Sequence, residues 1–187
     1  MASEWEWSQP VEQRIQVLFG TETGNAEYCA EVLAGAIGEV GLEAVHVDME
    51  DFLPESLVDE SLVFIITSTH GNGDPPPNAA ELLEHLQGGA QALPDLRYGV
   101  CGLGDSAFPY FAQCGKDFDA ALERLGAQRV VDRVDCDDDF DAEFAQFKES
   151  VLNYVRGLLT DASDSNTSEP VTCSLMSGPG AGVTSSC

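Results

Sequence analysis

The feature that most restricts this chain is alternation. Five short strand-like runs, Ile15-Gln-Val-Leu-Phe19, Ala44-Val-His-Val47, Leu62-Val-Phe-Ile-Ile66, Tyr98-Gly-Val-Cys-Gly102 and Arg129-Val-Val131, are separated by stretches long enough for helices. Strands spaced this way do not pair as tight hairpins; the chain between them crosses over, and helical crossovers join parallel neighbours. The intervening segments read as those helices: one passes through Cys29, Leu33 and Ile37, one ends near Gly88, and one carries Phe118, Leu122 and Leu125. In the last helix Phe140, Phe144, Phe147, Val151, Val155 and Leu158 share one face at a period of 3.6 residues, the pattern of core. The expected fold class is α/β: a doubly wound five-stranded parallel sheet with helices on both faces, spanning residues 13–159. Residues 1–12 read as an N-terminal extension. From Thr160 onward Asp, Ser, Asn, Thr, Gly and Pro dominate, and such a stretch buries too little apolar surface to offset its ordering entropy, so 160–187 is expected to be a disordered polar tail.

Charge narrows the partners. With 33 acidic against 8 basic residues the net charge is −25, and no Lys or Arg lies between Arg14 and Arg97. Phosphate backbones and anionic membranes need a cationic footprint, so nucleic acid is excluded and a macromolecular partner should be basic. The longest clean apolar run, Leu62 to Ile66, falls far short of the roughly 20 residues that cross a bilayer, so no membrane insertion is expected. The start, Met1-Ala-Ser-Glu-Trp-Glu-Trp, has neither a basic flank nor an apolar stretch, and a cytoplasmic location is expected. Six cysteines without a C-x-x-C pair, and three histidines (His46, His70, His85) in no ligand spacing, imply no metal and reduced thiols.

In an open parallel sheet, ligands bind beyond the carboxyl ends of the strands. Three loops fall there. After the first strand comes Gly20-Thr-Glu-Thr-Gly-Asn25, whose hydroxyls, amide and free backbone N–H groups suit a phosphate without any cation, although an ordinary capped helix start (Thr21 or Thr23 as N-cap) reads the same residues. It is neither a Walker loop nor G-x-G-x-x-G. After the third strand, Thr67-Ser-Thr-His-Gly-Asn-Gly-Asp-Pro-Pro-Pro-Asn78 is glycine-rich, and Gly71 and Gly73 admit a positive φ. After the fourth, Gly102-Leu-Gly-Asp-Ser-Ala-Phe-Pro-Tyr-Phe111 carries aromatic rings at the same sheet edge, where one can stack on a planar ring. Together they describe a flat, phosphorylated heterocycle lying along the edge.

The strings T-E-T-G-N-A, S-T-H-G-N-G-D-P-P-P-N, G-L-G-D-S-A-F-P-Y-F-A-Q-C-G-K-D-F-D and D-R-V-D-C-D-D-D-F resemble the flavodoxin-like FMN domains of diflavin reductases, of the sulfite reductase and cytochrome P450 reductase type, over residues 14–158. The resemblance implies a flavodoxin-like sheet of order 2-1-3-4-5 and FMN as cofactor. It makes Thr21, Glu22, Thr23, Gly24, Asn25 and Ala26 the phosphate loop. Ser68, Thr69, His70 and Gly71, continuing through Asn72 and Gly73, become one wall of the flavin pocket. Leu103, Gly104, Asp105, Ser106, Ala107, Phe108, Tyr110 and Phe111 become the other, with Asp137 an acidic position near the ring. Phe108 stands where the family usually has a stacking Tyr, and His70 where it has Tyr or Gln; whether His70 stacks, hydrogen-bonds or faces solvent stays open. A Gly71 carbonyl turned toward flavin N5–H would separate the two one-electron steps, and acidic neighbours (Glu22, Asp74, Asp105, Asp137) would push the second to low potential.

The family's chemistry implies an electron carrier, monomeric, served by an NAD(P)H-dependent flavin reductase and delivering to a basic-faced acceptor such as a P450 or sulfite reductase hemoprotein. The sequence ends before the FAD- and NADPH-binding domains of diflavin reductases, so a free-standing carrier and a split or excised FMN module are both open, as is a non-shuttling FMN-bound regulatory protein. A response-regulator receiver needs an Asp ending the third strand and a Lys ending the fifth, and this chain has Thr67-Ser-Thr and Asp132-Arg-Val there. A serine hydrolase needs G-x-S-x-G, which is absent. His46 and His85 read as structural, Asp48 as no ribose ligand without a dinucleotide loop, and Asp135 to Asp139 as an acidic turn or a cation seat.

Overall fold

The computed structural model describes residues 14–164, so the expected N-terminal extension and most of the expected tail lie outside the described residues. Along the chain run β1 (Ile15–Gly20), α1 (Asn25–Val40), β2 (Ala44–Asp48), a 3-10 helix (Pro54–Asp59), β3 (Leu62–Ser68), α2 (Pro77–Gly88), β4 (Arg97–Leu103), α3 (Gln113–Arg124), β5 (Gln128–Arg129), β6 (Val134–Cys136) and α4 (Asp141–Asp164). Every pairing is parallel, in the order β2-β1-β3-β4-β5, with β6 also on β4. The expected order therefore holds, and α4 continues past residue 159 to Asp164.

The expected fifth strand, Arg129 to Val131, is cut to β5, and a sixth strand, β6, which the sequence reading did not have, takes up the edge further on. β5 pairs with the start of β4 (Arg97↔Gln128, Tyr98↔Arg129) and β6 with its end (Cys101↔Val134 to Leu103↔Cys136). The buried carboxylate of Asp119 on α3 accepts from Arg129 through Nε (2.7 Å) and Nη2 (2.9 Å) and from Arg133 through Nη1 (2.7 Å), while the Tyr98 hydroxyl donates to it at 3.1 Å. The two arginines, one in β5 and one just before β6, thus converge on one carboxylate of α3 across the gap between the strands. Removing either partner would leave a buried charge incompletely paired, the costly case.

One face of the sheet packs Val17, Phe19, Phe64 and Ile66 against Leu33 and Ile37 of α1 and Phe147, Val151 and Val155 of α4. The other packs Leu18, Ile65 and Tyr98 against Leu82 and Leu86 of α2 and Phe118 and Leu122 of α3. Central β3 is buried on both faces, which is why it reads as a continuous apolar run instead of an alternating one. On β4 the small residues set the height of α3: a Cβ added to Gly115 would stand 2.7 Å from the Gly102 Cα, so helix and strand lie in backbone contact. That contact holds the loop between β4 and α3 close over the sheet edge. Among the described residues no helix is long and apolar enough to cross a membrane.

Candidate functional site

The loop after β1 turns on one hydroxyl and one glycine. Thr21 Oγ1 accepts the N–H of Gly24 (2.9 Å), and Gly24, the residue before α1, adopts φ +92, the left-handed region that glycine enters without a Cβ penalty. No side chain caps α1. Of the two readings of this loop, the ordinary capped helix start is therefore absent: neither Thr21 nor Thr23 serves as its N-cap, and the first-turn N–H groups have no side-chain acceptor. The loop is moored from outside. The Thr21 N–H donates to Asn78 Oδ1 (3.0 Å), and the Asn78 amide donates to Asp48 Oδ1 (2.9 Å), linking the ends of β1 and β2 with the first turn of α2. Ala26 is buried beneath the loop.

The loop after β3 folds back on itself. His70 and Asp74 form an antiparallel bridge, His70 N–H to Asp74 carbonyl at 2.8 Å and the reverse at 2.9 Å. Gly71 (φ +52) and Gly73 (φ +103) both adopt the positive φ expected of them, with Asn72 between them at the tip. Gly73 is also required for space, since a Cβ there would stand 2.9 Å from Tyr110 Cβ. The base is pinned by the Thr69 N–H on the Leu103 carbonyl (2.9 Å), by Thr69 Oγ1 accepting the Cys114 N–H (3.2 Å) and by Ser68 Oγ on the Gly20 carbonyl (3.4 Å). His70 Nδ1 pairs with the carboxylate of Glu22 on the first loop while its side chain stays 58% exposed, so the hydrogen-bonded and the solvent-facing readings of His70 both describe it.

The loop after β4 is held by carboxylates. Asp105 Oδ1 accepts the Ala107 N–H (2.8 Å), and Asp137 takes both the N–H (2.9 Å) and the hydroxyl of Ser106. The Ser106 hydroxyl, then the N–H groups of Ser106 and Asp138, hold the Asp137 carboxyl below its usual range. The Gly104 N–H reaches the Cys136 carbonyl (3.0 Å), which ties the loop to β6. Phe108 and Tyr110 stand out in solvent at 59% and 51% exposure, where core aromatics would not be. Phe111 turns the other way: its carbonyl accepts the Lys116 ammonium, which lies 5.3 Å from its ring centre.

The three loops enclose a cleft of about 260 Å3. Its lining brings together Thr23 and Asn25 from the first loop, Ser68, Thr69 and Gly71 from the second, Leu103, Gly104, Asp105, Phe108 and Tyr110 from the third, and Asp137. Thr21, Glu22, Gly24, Ala26, His70, Asn72, Gly73 and Phe111 stand outside that lining, while Ser106 and Ala107 border a shallower acidic depression beside it with Asp138, Asp139 and Glu143. Two lining residues escaped the sequence reading: Asp138, within the acidic turn, and Phe140, whose helical spacing assigned it wholly to core although it both touches the core and edges the cleft. None of the described Lys or Arg side chains lines the cleft.

Beneath the cleft lie thiols. The four described cysteines, Cys29, Cys101, Cys114 and Cys136, are buried and free, with Cys101 and Cys136 sulfurs 3.5 Å apart. Burial pushes Cys29 and Cys114 up to about 12, and the contact with Cys136, followed by burial, raises Cys101, so these thiols stay protonated and act as small apolar packing.

The donor set fits a flavin mononucleotide. At one end are the Thr23 hydroxyl, the Asn25 amide and uncapped helix N–H groups, neutral donors for a terminal phosphate; at the other, two exposed rings and a glycine backbone suit a flat heterocycle. A parallel sheet of this order with such a cleft beyond its carboxyl edge defines a flavodoxin-like FMN-binding domain. The chain belongs to the flavodoxin family, whose model matches residues 17–149. It is 39% identical over 166 residues to the sulfite reductase [NADPH] flavoprotein alpha-component of Vibrio vulnificus, covering 88% of this chain and 27% of that protein. To the protein of the same name from Bacillus subtilis it is 43% identical over 143 residues, covering 76% and 24%. The chain thus spans about a quarter of the length of these curated relatives. A flavodoxin from Streptococcus pneumonia shares the fold, with a TM-score of 0.66 at 24% identity over 75% of this chain and 98% of that one.

Proposed function

We propose that this chain carries electrons through FMN, receiving them from an NAD(P)H-dependent flavin reductase and passing them singly to a basic-faced redox acceptor of the sulfite reductase hemoprotein or P450 kind. In this reading it works as a monomer in the cytoplasm. The observation that carries it is the cleft itself, with phosphate donors at one end, exposed aromatic rings at the other and no cation in its lining. FMN, when bound, supplies the redox chemistry by accepting and releasing electrons one at a time. The protein supplies the rest. The Thr23 hydroxyl, the Asn25 amide and the α1 N–H groups hold the phosphate, aided by the helix dipole; Thr21, Glu22, Gly24 and Ala26 shape that seat. Leu103, Gly104 and Phe108 would cover one side of the ring, with Tyr110 bracing the second loop through Gly73. With FMN bound, the Gly71 carbonyl would accept a hydrogen bond from the ring, and Asp105, Asp137 and Asp138 would make further negative charge on it costly.

The test is reconstitution. The chain should bind one FMN in preference to FAD, accept electrons from an NADPH-dependent flavin reductase and reduce a basic heme protein in stopped-flow mixing. Indifference to FMN, or a reduced flavoprotein that passes no electrons to any heme acceptor, would overturn the reading. A second reading, in which these residues are the FMN module of an NADPH-dependent diflavin reductase, is supported by the 39% identity to a sulfite reductase flavoprotein over 27% of its length. The site does the same work in either case.

A further inference from the structure

A second concavity, of about 180 Å3, lies away from the cleft. It sits between the 3-10 helix, which leads into β3, and the end of α2, whose following turn leads into β4; it therefore faces the amino ends of the strands, opposite the FMN edge. Its walls are mostly apolar, with Pro54, Leu57 and Val58 on one side and Leu86, Ala90 and Leu93 on the other, and His85 and Gln91 also line it. Val58 is 50% exposed, and neighbouring Leu53 is 72% exposed. The rim is acidic. Glu55 borders the groove, and Glu81 and Glu84 border the depression that adjoins it, with His85 in both. The nearby cation, Arg124, donates to the Leu86 carbonyl at 3.1 Å and so is engaged with the end of α2.

We propose that this groove docks a basic amphipathic segment of a partner protein, one large apolar side chain entering the socket and Lys or Arg meeting Glu55, Glu81 and Glu84. Apolar floors with charged rims are how protein interfaces anchor a partner, and the sign of the rim selects it. The chain's own remaining segments do not match that rim. All eight Lys and Arg, Arg14 to Arg156, lie within the described residues, so neither residues 1–13 nor 165–187 carry one, and both carry Glu. A second copy is opposed by a net charge of −25 on each molecule. Because the groove lies at the other end of the sheet, a partner held there leaves the FMN cleft open, and this proposal stands apart from the identity of the electron acceptor.

The experiment uses the full chain, FMN-loaded and isotope-labelled, with a fluorescent synthetic peptide of amphipathic Leu/Lys pattern as the probe and a Ser/Lys peptide of equal charge as its control. The Leu/Lys peptide should bind more tightly than the control and shift the amide signals of Val58, Gly89 and Leu93. Val58→Asp decides between docking and general attraction to an acidic protein, since it adds a negative charge yet places it in the socket. Docking predicts that it weakens binding about tenfold; Glu84→Lys should weaken it as well and, being on an exposed turn of α2, does not threaten the fold. Equal binding of both peptides, unchanged or tighter binding by Val58→Asp, or shifts confined to the three FMN loops would overturn the proposal. So would groove signals that move with protein concentration or on deletion of residues 1–13, because the socket would then belong to a second copy or to the chain itself.

Discussion

The backbone N–H of Thr21 donates to the side-chain oxygen of Asn78, 57 residues away, at 3.0 Å. Asn78 is turned for this by its amide contact with Asp48, so the seat of the first loop depends on a residue at the start of α2 and another at the end of β2, neither of which lines the cleft. Asn78→Ala should therefore weaken FMN binding by about 1–2 kcal/mol, the worth of such a hydrogen bond, with the thermal transition of the apoprotein little changed. Thr23→Ala, which removes a donor from the lining itself, should cost a similar amount. Flavin fluorescence titration measures both, and Asp48→Ala, which removes the acceptor of the Asn78 amide, should give the same loss through Asn78.

Gly71 and Gly73 share the positive-φ region but not their surroundings. A Cβ on Gly71 meets only Asp74 Oδ2 at 3.8 Å, whereas one on Gly73 meets Tyr110 at 2.9 Å. Gly71→Ala should cost about 1 kcal/mol of left-handed backbone strain without a steric clash and narrow the separation between the two one-electron potentials, because a Cβ hinders the peptide turn that presents its carbonyl. Gly73→Ala should destabilise the protein further, adding about 1–3 kcal/mol of overpacking to the left-handed strain. Redox titration and thermal unfolding of the two variants separate the effects, and an unchanged potential gap in Gly71→Ala would remove that carbonyl from the reaction.

The clamp between Ser106 and Asp137 carries a pH dependence of known sign. The Ser106 hydroxyl, then the N–H groups of Ser106 and Asp138, favour the charged carboxylate and lower its folded pKa. The contribution is therefore complete above the ordinary carboxyl pKa of about 3.9 and is lost as pH falls through the lower, folded value. Ser106→Ala should bring Asp137 back toward the ordinary range. A carbon NMR titration of its carboxyl reads the change, and an unaltered midpoint would deny Ser106 this role.

Charge should govern the encounter with the acceptor. The cleft is bordered by Asp105, Asp137 and Asp138, with Asp74 and Glu22 on the adjoining loops. Opposed patches raise association rates by about ten to a thousand times at low salt, and a Debye length of about 8 Å at physiological ionic strength erodes that gain. Electron transfer to a basic heme protein should thus slow as salt rises, and Asp74→Lys or Asp138→Lys should slow it at low salt while FMN stays bound. Rates indifferent to salt in stopped-flow mixing would point to docking through Phe108 and Tyr110 instead.

The sequence by itself determined the doubly wound parallel architecture and most of its elements, and its resemblance to the family supplied the strand order. Apolar runs such as Leu62 to Ile66 and the spacing of Phe144, Phe147, Val151 and Val155 are local signals, and the alternation of strand and crossover leaves few topologies once right-handed connections are required. The three loops beyond the strand ends followed from that, because a loop's side of the sheet is set by where its strand ends. The tertiary structure alone decided how those loops are held. Asn78 on Thr21, His70 on Glu22 and Asp137 on Ser106 join residues 31 to 57 positions apart or on separate loops, and no periodicity encodes such pairs. The convergence of β5 and the start of β6 on Asp119 belongs to the same class. Arg129 and Arg133 look like ordinary surface cations until the packing of α3 on β4, allowed by Gly102 and Gly115, brings the buried carboxylate of Asp119 between them. Local pattern specifies which residues face the core, while the partners of a buried or loop-borne polar group are fixed only when distant segments meet.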